Sequence, residues 1–547
     1  MSMKESLLNI KSLFQHYRTS TAILRKLLKN PLTFEESGDM IRNGLEMRKV
    51  NFLSMLRRCI FENPKSPHKA LLDHAGYTFG DIESLVNRIG LEEALKKLYS
   101  DGVYVDIQEF KGKKPAIRGK RTFTFTERDF NNHLLSSGFD IQTGGTTGRS
   151  VNVRVPLEFI RHNAIYGIYA SSLYNIPGKK VIIWLPILPA LEGLFFNLRF
   201  GIAGFPPVKW YSQTDPDSIK PLFIDRMKTI STILLARRYG INLPAAEFID
   251  MRETNKIAKW MSQNDKGNGG YAVVTYASSA LRLVVEARKE GFRLGDTVFW
   301  LMGEPLTPKK RQVIEEYGCK AFSLYGCNEL MLIGHGCENP GWVDDLHFFE
   351  DKLAVIQHHK KIDHSEDGVG AFLFTTLLDI SPKIFLNTEL GDYGVIETRK
   401  CGCRFEEVGL KTHMHSIRSF EKLTAEGVTF IGSNIIPLVE EILPATFGGS
   451  AVDYQFVEEE DEEGHSKVYA LVDPKLGEID EAKLKEITYT ALSGSKESQR
   501  GSKLLWDQVG TFQFLRVSPI PTKRGKILPF YIRRGVMPLL QRQEENE

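Results

Sequence analysis

Hydrophobic positions recur near helical spacing through the first hundred residues, as in Leu7, Ile10 and Phe14 and then Ile23, Leu24, Leu27 and Leu28. Asp81 to Tyr99 reads as one amphipathic helix with Ile82, Leu85, Val86, Ile89 and Leu95 on its inner face. From about residue 120 the pattern changes to short apolar runs between helices. Residues 181–185, 271–276 and 297–302 read as strands buried on both faces, and 278–290 and 308–317 as helices between them. After about residue 418 a smaller region begins. Tyr454 and Phe456, then Val468, Ala470 and Val472, alternate with polar neighbours around the acidic run Glu458 to Glu463, closed by Gly464. This predicts a hairpin with a charged, solvated tip, followed by a helix over 480–492.

The expected class is therefore α/β: a large N-terminal domain with mostly parallel sheets flanked by helices, plus a smaller α+β C-terminal domain. Residues 1–120 form the helical part of the large domain, 121–418 the rest of it, and 419–547 the smaller domain. A chain of 547 residues exceeds one ordinary core. Its 42% hydrophobic and 25% charged residues suit a soluble globular protein, and a net charge of +3 without a dominant basic face argues against a nucleic-acid partner. The basic stretch Lys111 to Arg121 reads as a solvated loop, with a weak site for an anionic cofactor tail as the alternative. The N-terminus carries no apolar run long enough for a signal peptide. Pro186, Pro189, Glu192 and Arg199 interrupt the apolar stretch 181–208, which makes it a core segment and no membrane span. Six cysteines do not make a disulfide framework in a chain this long, so a reducing cytoplasm is expected.

Candidate chemistry begins at Thr143-Gly144-Gly145-Thr146-Thr147-Gly148-Arg149. The glycines allow backbone N–H groups to approach a ligand closely, the threonines add hydroxyl donors, and Arg149 adds positive charge. Such a loop suits a polyphosphate, or is a turn between strands. Its spacing is not that of a Walker loop, which counts against a phosphotransferase. Four stretches follow in order: Gly303-Glu304-Pro305; Tyr325-Gly326-Cys327-Asn328-Glu329; Gly391-Asp392; and Pro521 to Ile527, which contains Lys526. Singly, each has a plain reading as a turn, a cap or a surface lysine.

Taken together and in this order, the motifs resemble the acyl-adenylate-forming superfamily across roughly residues 140–530. The chain looks most like the phenylacetate-CoA ligase branch in its N-terminal helices, its Gly303-Glu304-Pro305 and its cysteines. The resemblance implies that Thr143 to Arg149 hold the β- and γ-phosphates of ATP and that Glu329 binds Mg2+. It implies that Tyr325 stacks on adenine, with Gly326 beside it. Asn328 then reaches the α-phosphate or the substrate carboxylate, and Asp392 the ribose hydroxyls. Lys526 bridges carboxylate and α-phosphate. Glu304 and Pro305 belong to the nucleotide site, Arg418 to the hinge, and 419–547 to a mobile lid. The chain departs from the family at Asn328, where threonine is usual, at Leu390 before Gly391-Asp392, and at Ile417 to Glu421, which lacks the hinge aspartate.

Cys337, His347, Cys401 and Cys403 are candidate ligands of a structural Zn2+, with His335, His413 and His415 as rivals; ordinary reduced thiols are the other reading. Cys327 reads as a packing residue, and Cys59 and Cys319 as buried thiols. The implied activity is ATP-dependent activation of a small carboxylic acid, then transfer to a thiol, most simply CoA. A carrier protein in trans or an amine is the alternative acceptor. A non-catalytic nucleotide-binding or interaction protein is the reading from another class. The acyl pocket is expected between 185–204, Ser278, Ser279 and 303–305, with Phe195, Phe196 and Phe200 on the acyl group or in the core.

Overall fold

The computed structural model describes residues 32–136, 139–142, 152–187, 192–213, 223–265, 269–362, 365–419, 422–425, 428–461, 463–492, 512–521, 527 and 529–532. Its centre is a twelve-stranded sheet. In chain order the strands are β1 (Lys180–Trp184), β2 (Lys209–Ser212), β3 (Ala246–Phe248), β4 (Tyr271–Tyr276), β5 (Val298–Met302), β6 (Lys320–Cys327), β7 (Met331–Gly336), β8 (Leu346–Phe348), β9 (Leu353–Ile362), β10 (Ser365–Thr376), β11 (Thr388–Thr398) and β12 (Thr412–Ser419). They lie in the order β9-β10-β11-β12-β8-β7-β6-β5-β4-β1-β2-β3. From β3 to β6 every neighbour is parallel. The β6–β7 pair reverses direction, and the sheet continues antiparallel to β9.

The parallel half is covered on both faces. Val181 and Ile183 join the core under α1 (Leu157–Leu173) and α2 (Glu192–Ile202). Ile182 and Trp184 join the core under α3 (Ala277–Glu290) and α4 (Pro308–Glu316). Burial on two faces is why these strands read as unbroken apolar runs. The antiparallel half packs against the N-terminal helices: Phe52, Leu72, Leu95 and Leu98 share one core with Leu353, Phe372, Phe374 and Phe385.

Two expectations change here. Asp81 to Tyr99 is not one helix, because Gly90 takes φ 84° between Phe79–Ile89 and Leu91–Ser100, a conformation that an L side chain resists. Ile89 consequently lies exposed at the end of the first helix. The basic stretch is also more than a solvated loop. It contains the small hairpin Ala116–Arg118 with Arg121–Phe123, and Arg118 is buried against Glu109, each nitrogen–oxygen contact being 2.9 Å.

The C-terminal part has its own four-stranded sheet. β13 (Tyr454–Glu460) and β14 (Ser466–Val472) form the predicted hairpin, β15 (Phe512–Leu515) runs parallel to β14, and β16 (Phe530–Ile532) runs parallel to β13. The hairpin tip is solvated at Glu463, but its flanks are not. Glu458, Glu459, His465 and Ser466 are buried, and Lys310 at the start of α4 donates to Ser466 Oγ at 2.8 Å. The same Nζ lies 3.8 Å from Glu304 and 3.7 Å from Glu460, so one buried cation joins the hairpin to the Gly303-Glu304-Pro305 turn. Among the described residues no helix is long and apolar enough to cross a membrane.

Candidate active site and metal cluster

The motif residues gather where the parallel half of the sheet meets the antiparallel half. Tyr325 sits near the end of β6, and the register shifts between Tyr325 and Gly326. A side chain at Gly326 would run into the Met331 carbonyl, so only glycine permits this close return of the chain. Met331 itself holds φ 58°, outside the usual range for such a residue. Cys327 to Met331 thus makes a tight turn that presents Asn328 and Glu329. The Cys327 thiol is pushed well up by burial and by Glu329, which suits packing and not nucleophilic attack.

Tyr325 and Asp392 meet. The Tyr325 hydroxyl donates to Asp392 Oδ2 at 2.8 Å, and burial together with Asp392 holds the phenol protonated well above its ordinary range. Asp392 lies on β11, where Gly391 has φ 97°. Glu304 turns toward α3: its carboxylate accepts from Ser278 Oγ at 2.7 Å and Ser278 N at 3.1 Å. Pro305 follows in the same turn. Arg418, at the end of β12, donates to Asp344 Oδ2 at 3.0 Å. Thr143 to Arg149 and Lys526 lie outside the described residues. On either side of the glycine run, Gln142 pairs with Asn152, and on either side of Lys526, Pro521 pairs with Ile527.

Sequence reasoning missed two supports of the Glu329 turn. Lys383 and Glu127 form a half-hidden pair whose electrostatics both feel Glu329, and Lys383 Nζ also donates to Asn131 Oδ1 at 2.9 Å. Beneath the turn, fully buried Lys352 donates to Asn163 Oδ1 at 2.8 Å and to the Leu330 carbonyl at 3.2 Å. Burial pulls its ammonium down to about 7, with Asp351 opposing the shift. Asp351 in turn accepts from the Tyr166 hydroxyl at 2.6 Å. A lone lysine and asparagine far apart in sequence carry no signal that they will meet.

No family model matches the chain, and no curated protein matches it. Among solved structures, 2-hydroxyisobutyryl-CoA ligase in complex with 2-HIB-AMP and CoA, in the thioesterification state, is similar with a TM-score of 0.50 at 14% identity over 95% of this chain and 94% of that chain. The amide bond synthetase McbA from Marinactinospora thermotolerans matches at 11% identity and TM-score 0.29 over 93% of this chain and 98% of that one. MbtA from Mycobacterium smegmatis matches at 10% identity and TM-score 0.31 over 93% of each chain. The fold is similar to that of the 2-hydroxyisobutyryl-CoA ligase. At such identities the likeness speaks for the fold, and chemistry must be argued from the residues.

At the other end of β7 from the Glu329 turn lies the cysteine and histidine cluster. Ligand atoms of Cys337, His347, Cys401 and His413 all lie within 4.8 Å of one another. Cys403 Sγ is 3.1 Å from His347 Nε2, and Cys401 Sγ is 3.6 Å from it. The predicted cysteines therefore converge on His347, and His413 joins them because it lies opposite His347 in the β8–β12 pair. Each imidazole is oriented through its other nitrogen: His347 Nδ1 is 3.0 Å from the Leu410 carbonyl, and His413 Nδ1 is 2.8 Å from Asp345 Oδ1. The buried His413 Nε2 has no hydrogen-bond partner among the described residues, a group that a metal ion would satisfy. His335 and His415 take other places, His335 edge-on to Trp300 and His415 stacked on Trp342. Soft thiolates and imidazoles arranged this way fit Zn2+.

Proposed function

We propose that this chain is an acid–thiol ligase of the phenylacetate-CoA ligase type. A substrate carboxylate oxygen attacks the α-phosphorus of ATP and pyrophosphate leaves. A thiolate, most simply that of CoA, then attacks the acyl carbon and AMP leaves. The observation that carries this reading is the Tyr325–Asp392 hydrogen bond. It joins two motif residues that are 67 positions apart, beside the Glu329 turn of an adenylate-forming fold.

In this reading Tyr325 supplies an aromatic face for adenine and holds Asp392 ready to accept from the ribose hydroxyls. Thr143 to Arg149 cradle the β- and γ-phosphates. Glu329 offers hard oxygen donors to Mg2+, which would neutralise phosphate charge as pyrophosphate departs. Lys526 stabilises the charge that builds on the phosphorane oxygens. The 419–547 region acts as the lid that removes Lys526 after the first step. Lys310 is one contact through which the β13–β14 hairpin meets the large domain. A carrier protein or an amine as acceptor shares the first half-reaction and is separated from CoA only by the second.

We further assign the cysteine and histidine cluster to one structural Zn2+, held by Cys337, His347 and Cys401 with Cys403 or His413. Bound there, the ion would clasp β7, β8, β12 and the loop before Arg404 without offering an open position to substrate. The test of the function is pyrophosphate release from ATP and Mg2+ across aryl, short-chain and long-chain acids, with and without CoA. Acid-dependent release supports the reading, and release that ignores the acid contradicts it.

A further inference from the structure

The acyl side of the site carries a feature that adenylate chemistry does not use. α2 presents Glu192, Phe196 and Arg199 at i, i+4 and i+7, one stripe on one helical face. The stripe runs inward. At its outer end Glu192 lies near Tyr276, as does Glu304 of the motif turn, since both carboxyls act on the Tyr276 phenol. Arg199 is seven residues farther along, about 10 Å of helix. It is 3% exposed, and none of Nε, Nη1 and Nη2 hydrogen bonds to any described residue. Its one ring contact is with Phe196, 5.4 Å from the guanidinium carbon to the ring centre.

An isolated buried charge is expensive, and side chains of this kind are normally paired. No carboxylate offsets this one. Burial alone pulls the guanidinium down to about 9, and Lys352, which feels it, is itself a basic group that it discourages from ionising. Glu192 gives no relief, because burial favours its uncharged form. Space is nevertheless kept for the guanidinium. It lies against Gly167 of α1, where even a Cβ would overlap its Nε, Nη2 and Cζ. The indole N–H of Trp300, on the same face of the sheet and edge-on to His335, is also a buried donor without an acceptor among the described residues. No acceptor among the described residues thus reaches the guanidinium or the indole N–H.

We propose that Arg199 binds a second carboxylate at the distal end of the acyl substrate, so that the acids activated are dicarboxylic. A planar carboxylate matches the guanidinium fork and supplies the missing negative charge. The reacting carboxylate stays at the motif turn, and the body of the acid runs along the Glu192–Phe196–Arg199 stripe. This rests on the adenylating reading for its reaction but on Arg199 alone for its specificity.

The test pairs suberate with octanoate and terephthalate with benzoate, on wild type, Arg199→Met and Gly167→Ala. Gly167→Ala keeps the charge and removes its space, so it serves if Arg199→Met misfolds. Pyrophosphate release by wild type should favour each diacid over its monoacid by about 100-fold in kcat/KM. Both variants should lower that ratio to below about tenfold with monoacid turnover retained. Without ATP, at least one of the two diacids should raise the melting temperature of wild type and of neither variant. Equal use of diacids and monoacids by wild type, or a preference that both variants keep, overturns the proposal. Diacid stabilisation that requires Arg199, without pyrophosphate release from any acid, would instead sustain the binding site and overturn the ligase reading.

Discussion

The two sides of the site differ in how their polar groups are satisfied. On the proposed nucleotide side they are held by the protein: Tyr325 by Asp392, Glu304 by Ser278, Arg418 by Asp344, and Lys383 by Glu127 and Asn131. On the acyl side Arg199 has a ring and no acceptor, and Glu192 Oε2 likewise lacks a partner among the described residues. The first side is organised before any ligand arrives, so little ordering cost remains at binding. The second carries an uncompensated cost that an anionic ligand would relieve. A site built this way would recognise the common half of its chemistry with a fixed frame and its particular substrate with an open one.

The largest effect expected on this contrast is at Lys526. Lys526→Ala should slow adenylation by roughly two to four orders of magnitude, while thioester formation from supplied acyl-AMP persists. Single-turnover assays of the two half-reactions measure this, and equal loss of both would remove Lys526 from the site. Glu329→Gln comes next. It keeps shape and loses charge, so the Mg2+ concentration for half-maximal adenylation should rise about tenfold or more. An unchanged Mg2+ titration would detach the metal from this turn. Tyr325→Phe removes the hydroxyl that orders Asp392, and KM for ATP should rise several-fold with KM for the acid unchanged, as expected for about 1 kcal/mol. A change in acid affinity instead would erase the division between the two sides.

The metal cluster and the buried histidine test the frame itself. Purified protein should carry about one zinc per chain, and Cys401→Ser should lower both zinc content and melting temperature while changing turnover per folded molecule much less. Zinc-free protein of unchanged stability would return the cluster to ordinary thiols. The smallest effect is at His68, buried beneath Ile384 and Phe130. Burial pulls its imidazole down to about 4. The unfolded chain therefore binds a proton that the fold refuses between about pH 6.5 and pH 4, and stability falls as pH drops through that window. Urea titrations should show a shallower acid slope for His68→Gln than for wild type.

Much of the frame was legible because it is buried on two faces. β1, β4 and β5 are apolar runs for that reason, and the helices between them follow at once. The antiparallel half was not, since β9 carries His358, His359, Lys360 and Lys361 near its end, polar side chains on a strand whose earlier positions face the core. The hairpin misled only in part: Glu463 at its tip is exposed as its charge signalled, yet Glu460 lies against Lys310. Tyr325 and Asp392 could be named from an ordered set of motifs, and the fold brings the two into contact. Arg199 could only be seen as an interruption in an apolar stretch. That its guanidinium is stranded depends on Gly167 of α1 meeting it across the helix packing, which no local pattern reveals.

The account rests on acid activation with ATP, and one assay addresses it directly: pyrophosphate release by the purified full chain with ATP and Mg2+, acid by acid. The expected result is release that depends on one class of carboxylic acid, requires Mg2+ and yields AMP, with a thioester appearing only when CoA is added. Release of inorganic phosphate and ADP, or pyrophosphate formation that no acid stimulates, would contradict it.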